Sequence, residues 1–139
     1  MPRWNTELSV QHLTANAKSG PTGLCAKFVR QAIEAGGVTL VRHGSAKDYG
    51  SSLLQVGFVA IEETIPERGK KGDVVIMQAI GDHIHGHMQM YSGNRWVSDY
   101  SQNGFYPYTH SRPEYQVYRY PAPTTALPST PAFPPYFNP

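Results

Sequence analysis

The chain has 139 residues, of which 40% are apolar and 16% charged, and a formal net charge of +2. That length supports one domain with its own hydrophobic core, and a single cysteine excludes an internal disulfide. No dense Lys/Arg stripe is present, which argues against nucleic acid as a partner, and no apolar run approaches the length needed for membrane insertion.

The first stretch, Met1-Pro2-Arg3-Trp4-Asn5, lacks the apolar segment of a secretory signal. Action outside the cell would therefore need export without a cleaved signal peptide. Asn5 to Ala17 is expected to be a helix, capped by Asn5 or Thr6, with Leu8, Val10, Leu13 and Ala17 as its apolar stripe. Ser19 to Thr22 breaks it.

A stronger helix follows from Leu24 to Ala35. Leu24, Cys25, Phe28, Val29, Ala32, Ile33 and Ala35 recur at three- and four-residue steps, with Lys27, Arg30, Gln31 and Glu34 expected on the opposite face. Thr22 is the expected N-cap, and Gly36-Gly37 supplies the stop. Cys25 then lies in the first turn, where unpaired N–H groups and the helix dipole favour a thiolate. Lone cysteines on apolar faces are more often small buried hydrophobes. A catalytic role for Cys25 therefore depends on what the rest of the chain brings to it.

Val38 to Val41 reads as a short extended piece, and Ser45 to Gln55 as a short helix or turn with Leu53 and Leu54 inward. The pattern then turns to strands. Phe58 to Ile61 is followed by charges and Pro66, and Arg68 to Asp73 is a polar turn. Val74-Val75-Ile76-Met77 has the continuous apolar character of a central strand. His87 to Tyr91 and Arg95 to Tyr100 flank Ser92-Gly93-Asn94, a hairpin signal, and Tyr115 to Tyr120 is a last strand. Helices first and antiparallel strands second make an α+β fold. Residues 1–120 form the expected domain; residues 121–139 hold seven prolines without periodicity and read as an extended C-terminal tail.

His83, His85 and His87 alternate, and three imidazoles on one strand face would suit zinc. Against that, Gly81 and Gly86 bracket the first two in an apparent turn, where solvated loop positions are the plainer reading. His87 opens a hairpin strand. With a three-residue loop, Tyr91 faces Arg95, Gln89 faces Val97, and His87 faces Asp99. With a two-residue loop, His87 faces Tyr100 and Asp99 turns to the other side of the sheet. The first register gives a nucleophile–base–orienter set of Cys25, His87 and Asp99. A surface His/Asp pair of little consequence is the alternative.

These motifs together resemble the NlpC-type and CHAP-type cysteine peptidases and amidases of bacterial peptidoglycan. The residues that carry the likeness are Cys25-Ala26-Lys27-Phe28-Val29-Arg30, Gly37 to Arg42, Gly72-Asp73-Val74-Val75-Ile76 and His87 to Gly93, with the third polar residue at Asp99. The likeness spans roughly residues 19 to 100. Leu24 stands where NlpC-type members usually carry Asp, and Asp99 where their third residue is often His. The resemblance implies a papain-like fold, with the Cys helix packed on a central antiparallel sheet, and hydrolysis of amide bonds in stem peptides.

The compact build is also similar to the amidase effectors of type VI secretion systems. Those act in a rival's periplasm and are neutralised by an immunity protein, so secretion machinery and such a protein become expected partners. A phage-type lysin is the other delivery route. On this reading Cys25, His87 and Asp99 are catalytic, Gln102 and Tyr106 are expected to line the cleft, and no metal or other cofactor is required. The rival readings are a metal-dependent hydrolase using His83, His85 and His87, and a non-enzymatic wall-binding module suggested by nine Tyr, two Trp and the Pro-rich tail.

Overall fold

A computed structural model describes residues 4–62 and 69–121. The expectations for Pro66, Arg68 and residues 122–139 of the tail lie outside the described residues. The fold is α+β. Helix α1 is Thr6–Asn16, α2 is Cys25–Ala35, and a 3₁₀ turn at Ala46–Asp48 leads into α3 at Gly50–Gln55. Five strands follow: β1 Val59–Ile61, β2 Val74–Met77, β3 His87–Tyr91, β4 Trp96–Val97 and β5 Tyr115–Arg119. They form one antiparallel sheet in the order β1-β5-β2-β3-β4, so the last strand inserts beside the central one.

Helix α1 begins as expected. The Asn5 side chain accepts from the Leu8 N–H at 3.0 Å, which satisfies one orphan donor of the first turn. Its buried face differs from the apolar stripe, however. Leu8 is 49% exposed, while Ser9 is buried, holding the Trp4 indole N–H at 2.7 Å. Trp4 also donates to the Ile33 carbonyl at 3.1 Å, and the Asn5 N–H to the Gly36 carbonyl at 2.8 Å, so the end of α2 anchors the start of α1. A Cβ on Gly36 would run into Ser9 Oγ and Trp4 Nε1, which is why a glycine closes α2.

Helix α2 buries Val29, Ala32 and Ile33 completely against the sheet. Each of the larger two contributes about 1.5–3 kcal/mol by leaving water. Two expectations fail here. Arg30 is buried rather than solvent-facing, and the N-cap is Leu24, whose side chain makes no capping bond. Val38 to Val41 joins no strand of the sheet, and Val38 and Leu40 are buried. Ser52 and Leu53 are buried but Leu54 is 51% exposed, because successive side chains point in different directions round a helix and only one side of α3 meets the core.

Strand β2 is buried along its whole length, as its unbroken apolar run predicts. Asp73, just before it, accepts from Arg119 Nε and Nη2, both at 2.8 Å, and from the Lys70 N–H at 2.9 Å. That fork locks β2 to β5. The sheet has two covered faces. Val74, Ile76, Met88, Met90 and Val97 join the helices in one core; Val75, Met77, Trp96, Phe105 and Val117 form a second.

The hairpin takes its two-residue form. Ser92 N–H donates to the Arg95 carbonyl at 2.9 Å, and Gly93 at φ 111° begins the tight loop. Met90 therefore faces Val97 and Tyr91 faces Trp96, one residue out of the register that would set His87 opposite Asp99. The ladder is also short. Ser98 N–H donates to the Tyr100 carbonyl at 2.9 Å, and the chain turns back so that Val97 bridges Ser101.

Candidate active site

Cys25 and His87 reach one cleft from opposite faces of the sheet. The cleft, of about 750 Å³, lies where the start of α2 meets the start of β3. Cys25, His87, Asp99, Tyr100, Tyr108 and His83 are among its walls. Two local features bring the first pair there. Leu24 and Cys25 open α2 after Gly23, whose φ of 83° turns the chain into the helix. Gly86 enters β3 at φ 71°, where a Cβ would strike the Met77 carbonyl.

The sulfur is partly buried and free of any disulfide. Burial pushes the Cys25 thiol above its ordinary value. The backbone of Met88, the residue after His87, hydrogen-bonds to the sulfur and pulls the other way; the negative charge of Asp99 adds to the rise; the first-turn amides of Ala26 and Cys25 oppose it. Burial pushes His87 below its ordinary value, against the opposing influences of Gln102 and the Asp99 charge. Both shifts favour neutral forms, a thiol at Cys25 and a neutral imidazole at His87, in the cleft that both line.

His87 is 6% exposed, and its Nε2 meets Gln102 Oε1 at 2.8 Å. The orientation of that amide is chemically forced. Gln102 Nε2 donates to Gln89 Oε1 at 2.9 Å and to the carbonyls of Gly104 and Phe105 at 3.0 and 3.3 Å. Only the oxygen is left for the imidazole, so Nε2 carries the proton and Nδ1 keeps its lone pair. Gln102, 1% exposed, thus holds His87 instead of lining the cleft.

Asp99 does not sit in register with His87. Its Oδ2 accepts from the Thr22 N–H at 2.5 Å and the Thr22 hydroxyl at 2.8 Å. Burial alone would raise this carboxyl. The Thr22 bonds, with support from its own backbone and Ser98, outweigh burial and hold it below the usual carboxylate value. The physical reason is that the shorter loop shifts the register by one and the ladder ends at Val97, so Asp99 falls in the turn after β4, against the loop that precedes α2. The Lys18 N–H also donates to the Asp99 carbonyl at 2.8 Å. Asp99 therefore clamps the segment that delivers Cys25.

Tyr106 also departs from expectation. It packs on Phe105 and Tyr115, under Arg112 at 4.7 Å, away from the cleft. Tyr108, two residues on, takes the expected place: it stacks on His83 at 3.7 Å and meets the His87 ring edge-on at 6.2 Å. Burial, then the charges of Cys25 and Tyr100, push the Tyr108 phenol up to about 12, so it remains a hydrogen-bond donor at neutral pH. Tyr100 is raised by the same kinds of influence. Only the tyrosine-rich composition hinted at this aromatic wall.

The three alternating histidines diverge. His83 lies on Tyr108, His85 Nδ1 meets Ser45 Oγ at 2.6 Å, and His87 is held by Gln102. The turn at Gly81 to Gly86 breaks the strand on which they would align. Among the described residues, no three His, Cys, Asp or Glu side chains converge as a metal-binding group.

No family model and no curated protein matches the chain. Among solved structures it is similar to the type VI native effector–immunity complex Tae3–Tai3 from Ralstonia pickettii, with TM-score 0.78 and 40% identity, over 84% of this chain and 99% of that one. The selenomethionine form of the same complex gives TM-score 0.74 and 40% identity, over 81% and 99%. Identity at this level across nearly the whole of the matched effector carries more than a shared fold: the chain belongs to the Tae3 family of type VI effectors.

Proposed function

We propose that this protein is an antibacterial effector that hydrolyses amide bonds in peptidoglycan stem peptides by thiol chemistry, on a papain-like scaffold of the NlpC/CHAP type. The observation that carries this reading is the locked tautomer of His87. With Nε2–H committed to Gln102 Oε1, Nδ1 is left as the basic nitrogen of a ring that lines the same cleft as Cys25. An amide as the third residue is closer to CHAP-type sites than to the histidine usual in NlpC-type ones.

In the first step His87 Nδ1 takes the Cys25 proton as the sulfur attacks the scissile carbonyl. The oxyanion accepts from the backbone N–H of Cys25, which has no intrahelical partner in the first turn. Imidazolium then donates its Nδ1 proton to the leaving amine, giving a thioester. Water, deprotonated by the same nitrogen, releases the acyl product and restores the thiol. Gln102 accepts from Nε2–H throughout, and Asp99 positions the Thr22 loop ahead of the nucleophile. By analogy with the Tae3–Tai3 complexes, the protein has a cognate immunity protein. Its place of action is the periplasm or cell wall of a target bacterium, reached through secretion machinery.

Purified sacculi digested with wild-type protein should release soluble peptide fragments bearing new amino and carboxyl ends, identified by mass spectrometry. Cys25→Ala should release none. Equal release by the variant, or no release by wild type, would sink the reading.

A further inference from the structure

We propose that Lys27, Arg30 and Arg42 form a carboxylate-binding subsite in the cleft, so that the preferred substrate peptide carries a free carboxylate one or two residues from the scissile amide. This deepens the amidase reading and rests on it. All three side chains line the same cleft as Cys25. Arg30 stands out because the helical pattern directs it to solvent, yet it is 7% exposed. An exposed i,i+4 Arg–Glu pair contributes only a few tenths of a kcal/mol, whereas enclosing a guanidinium is costly unless its donors are used.

Only part of the Arg30 fork is used. Nη1 donates to Glu34 Oε1 at 3.0 Å, and Glu34 Oε2 is itself fixed by the Leu40 N–H at 3.2 Å. A guanidinium has five donors in a rigid plane, and no other acceptor meets Arg30 among the described residues. Glu34 thus orients the fork and leaves donors for a ligand. Lys27 and Arg42 are exposed, and neither has an ion-pair partner among the described residues. The acids of the cleft do not neutralise this group: Asp99 is committed to Thr22, and Asp82 lies on the turn before β3.

Helix geometry sets the reach. Five residues separate Cys25 from Arg30, roughly 7.5 Å along α2 at about 1.5 Å per residue. An extended peptide covers that in about two residues, at about 3.4 Å each. Stem peptides offer two sources of such a carboxylate, the α-carboxyl of a side-chain-linked glutamate and the second carboxyl of a diamino diacid.

Three synthetic peptides decide the matter: one with both carboxylates free, and one amidated at each position in turn. Wild type should lose about tenfold or more in kcat/KM, through KM, on one of the amidated peptides, which identifies the source. Lys27→Gln and Arg42→Gln should weaken hydrolysis of the free acid and leave that amidated peptide unaffected; both positions are exposed, so folding is not at issue. Arg30→Gln should behave likewise. Equal hydrolysis of all three peptides by wild type, or equal losses by the variants on acid and amide, overturns the subsite while leaving the amidase reading intact. Failure of wild type on every peptide and on sacculi overturns both.

Discussion

The two faces of the sheet supply the two halves of the proposed active site by different physical means. On the helix face, Cys25 is delivered by local rules: a glycine turn, a helix start and an apolar stripe formed by Val29, Ala32 and Ile33. On the opposite face, His87 is held by partners distant in sequence. Gln102 reaches back to it, fixed in turn by Gln89 and by the carbonyls of Gly104 and Phe105. The comparison teaches that the thiol's place is a property of one segment, whereas the imidazole's tautomer is a property of a network of buried polar groups.

The largest effect should come from the chemical pair itself. Cys25→Ala removes the nucleophile and His87→Ala the base, and each should reduce hydrolysis by about 10³-fold or more, since residues acting as a unit are not additive. The double variant should be scarcely worse than either single one. Multiplying losses, measured on the same peptide, would show that the faces act independently.

Gln102→Ala is the sharper probe of the network. It strands the Nε2 proton and the two carbonyls, and the expected loss in kcat is about 10²-fold, the scale of a positioning partner to a general base. Gln102→Glu keeps an acceptor and adds charge, so the acidic limb of the pH–rate profile should move to higher pH as the imidazole becomes more basic. An unmoved limb would mean that Gln102 only fills space.

Asp99→Asn should be milder. The substitution keeps an acceptor for Thr22 but removes the charge, so the Cys25 loop loosens and activity falls about tenfold or less. Should this loss exceed that of Gln102→Ala, the assignment of roles between the two residues is reversed.

Much of the helix face was legible in the sequence. Periodicity located α2 and Cys25, composition marked β2, and Gly36-Gly37 marked the stop. The other face was not, and a single residue of register explains why. Ser92-Gly93-Asn94 permits a two- or a three-residue loop; the Ser92–Arg95 backbone bond selects the shorter, and the ladder beyond it ends at Val97. Asp99 therefore lies in a turn, bonded to Thr22, and not on a strand opposite His87. Gln102 and Tyr108 lie in an irregular segment where no period applies, and only long-range contacts assign their partners. Arg30 departs from the periodic expectation because helical spacing records which residues share a face, but not that a cleft opens beside it.

The smallest effect tests the burial of His87 directly. Burial holds the ring below its ordinary 6.5, so the unfolded chain binds the proton more readily than the native one. The ring's contribution to stability is therefore complete above pH 6.5 and declines as pH falls from there through the folded value. Asp99 is also depressed, but from 3.8, so its own contribution is lost only at more acid pH. Urea unfolding between pH 7 and 5 should give a wild-type stability that falls with acidification, by at most about 1.4 kcal/mol per pH unit. His87→Gln should flatten that slope, whereas Asp99→Asn should preserve it. If Asp99→Asn flattens the slope and His87→Gln does not, the titrating group of this window belongs to the helix face, and the contrast between the two faces is wrong.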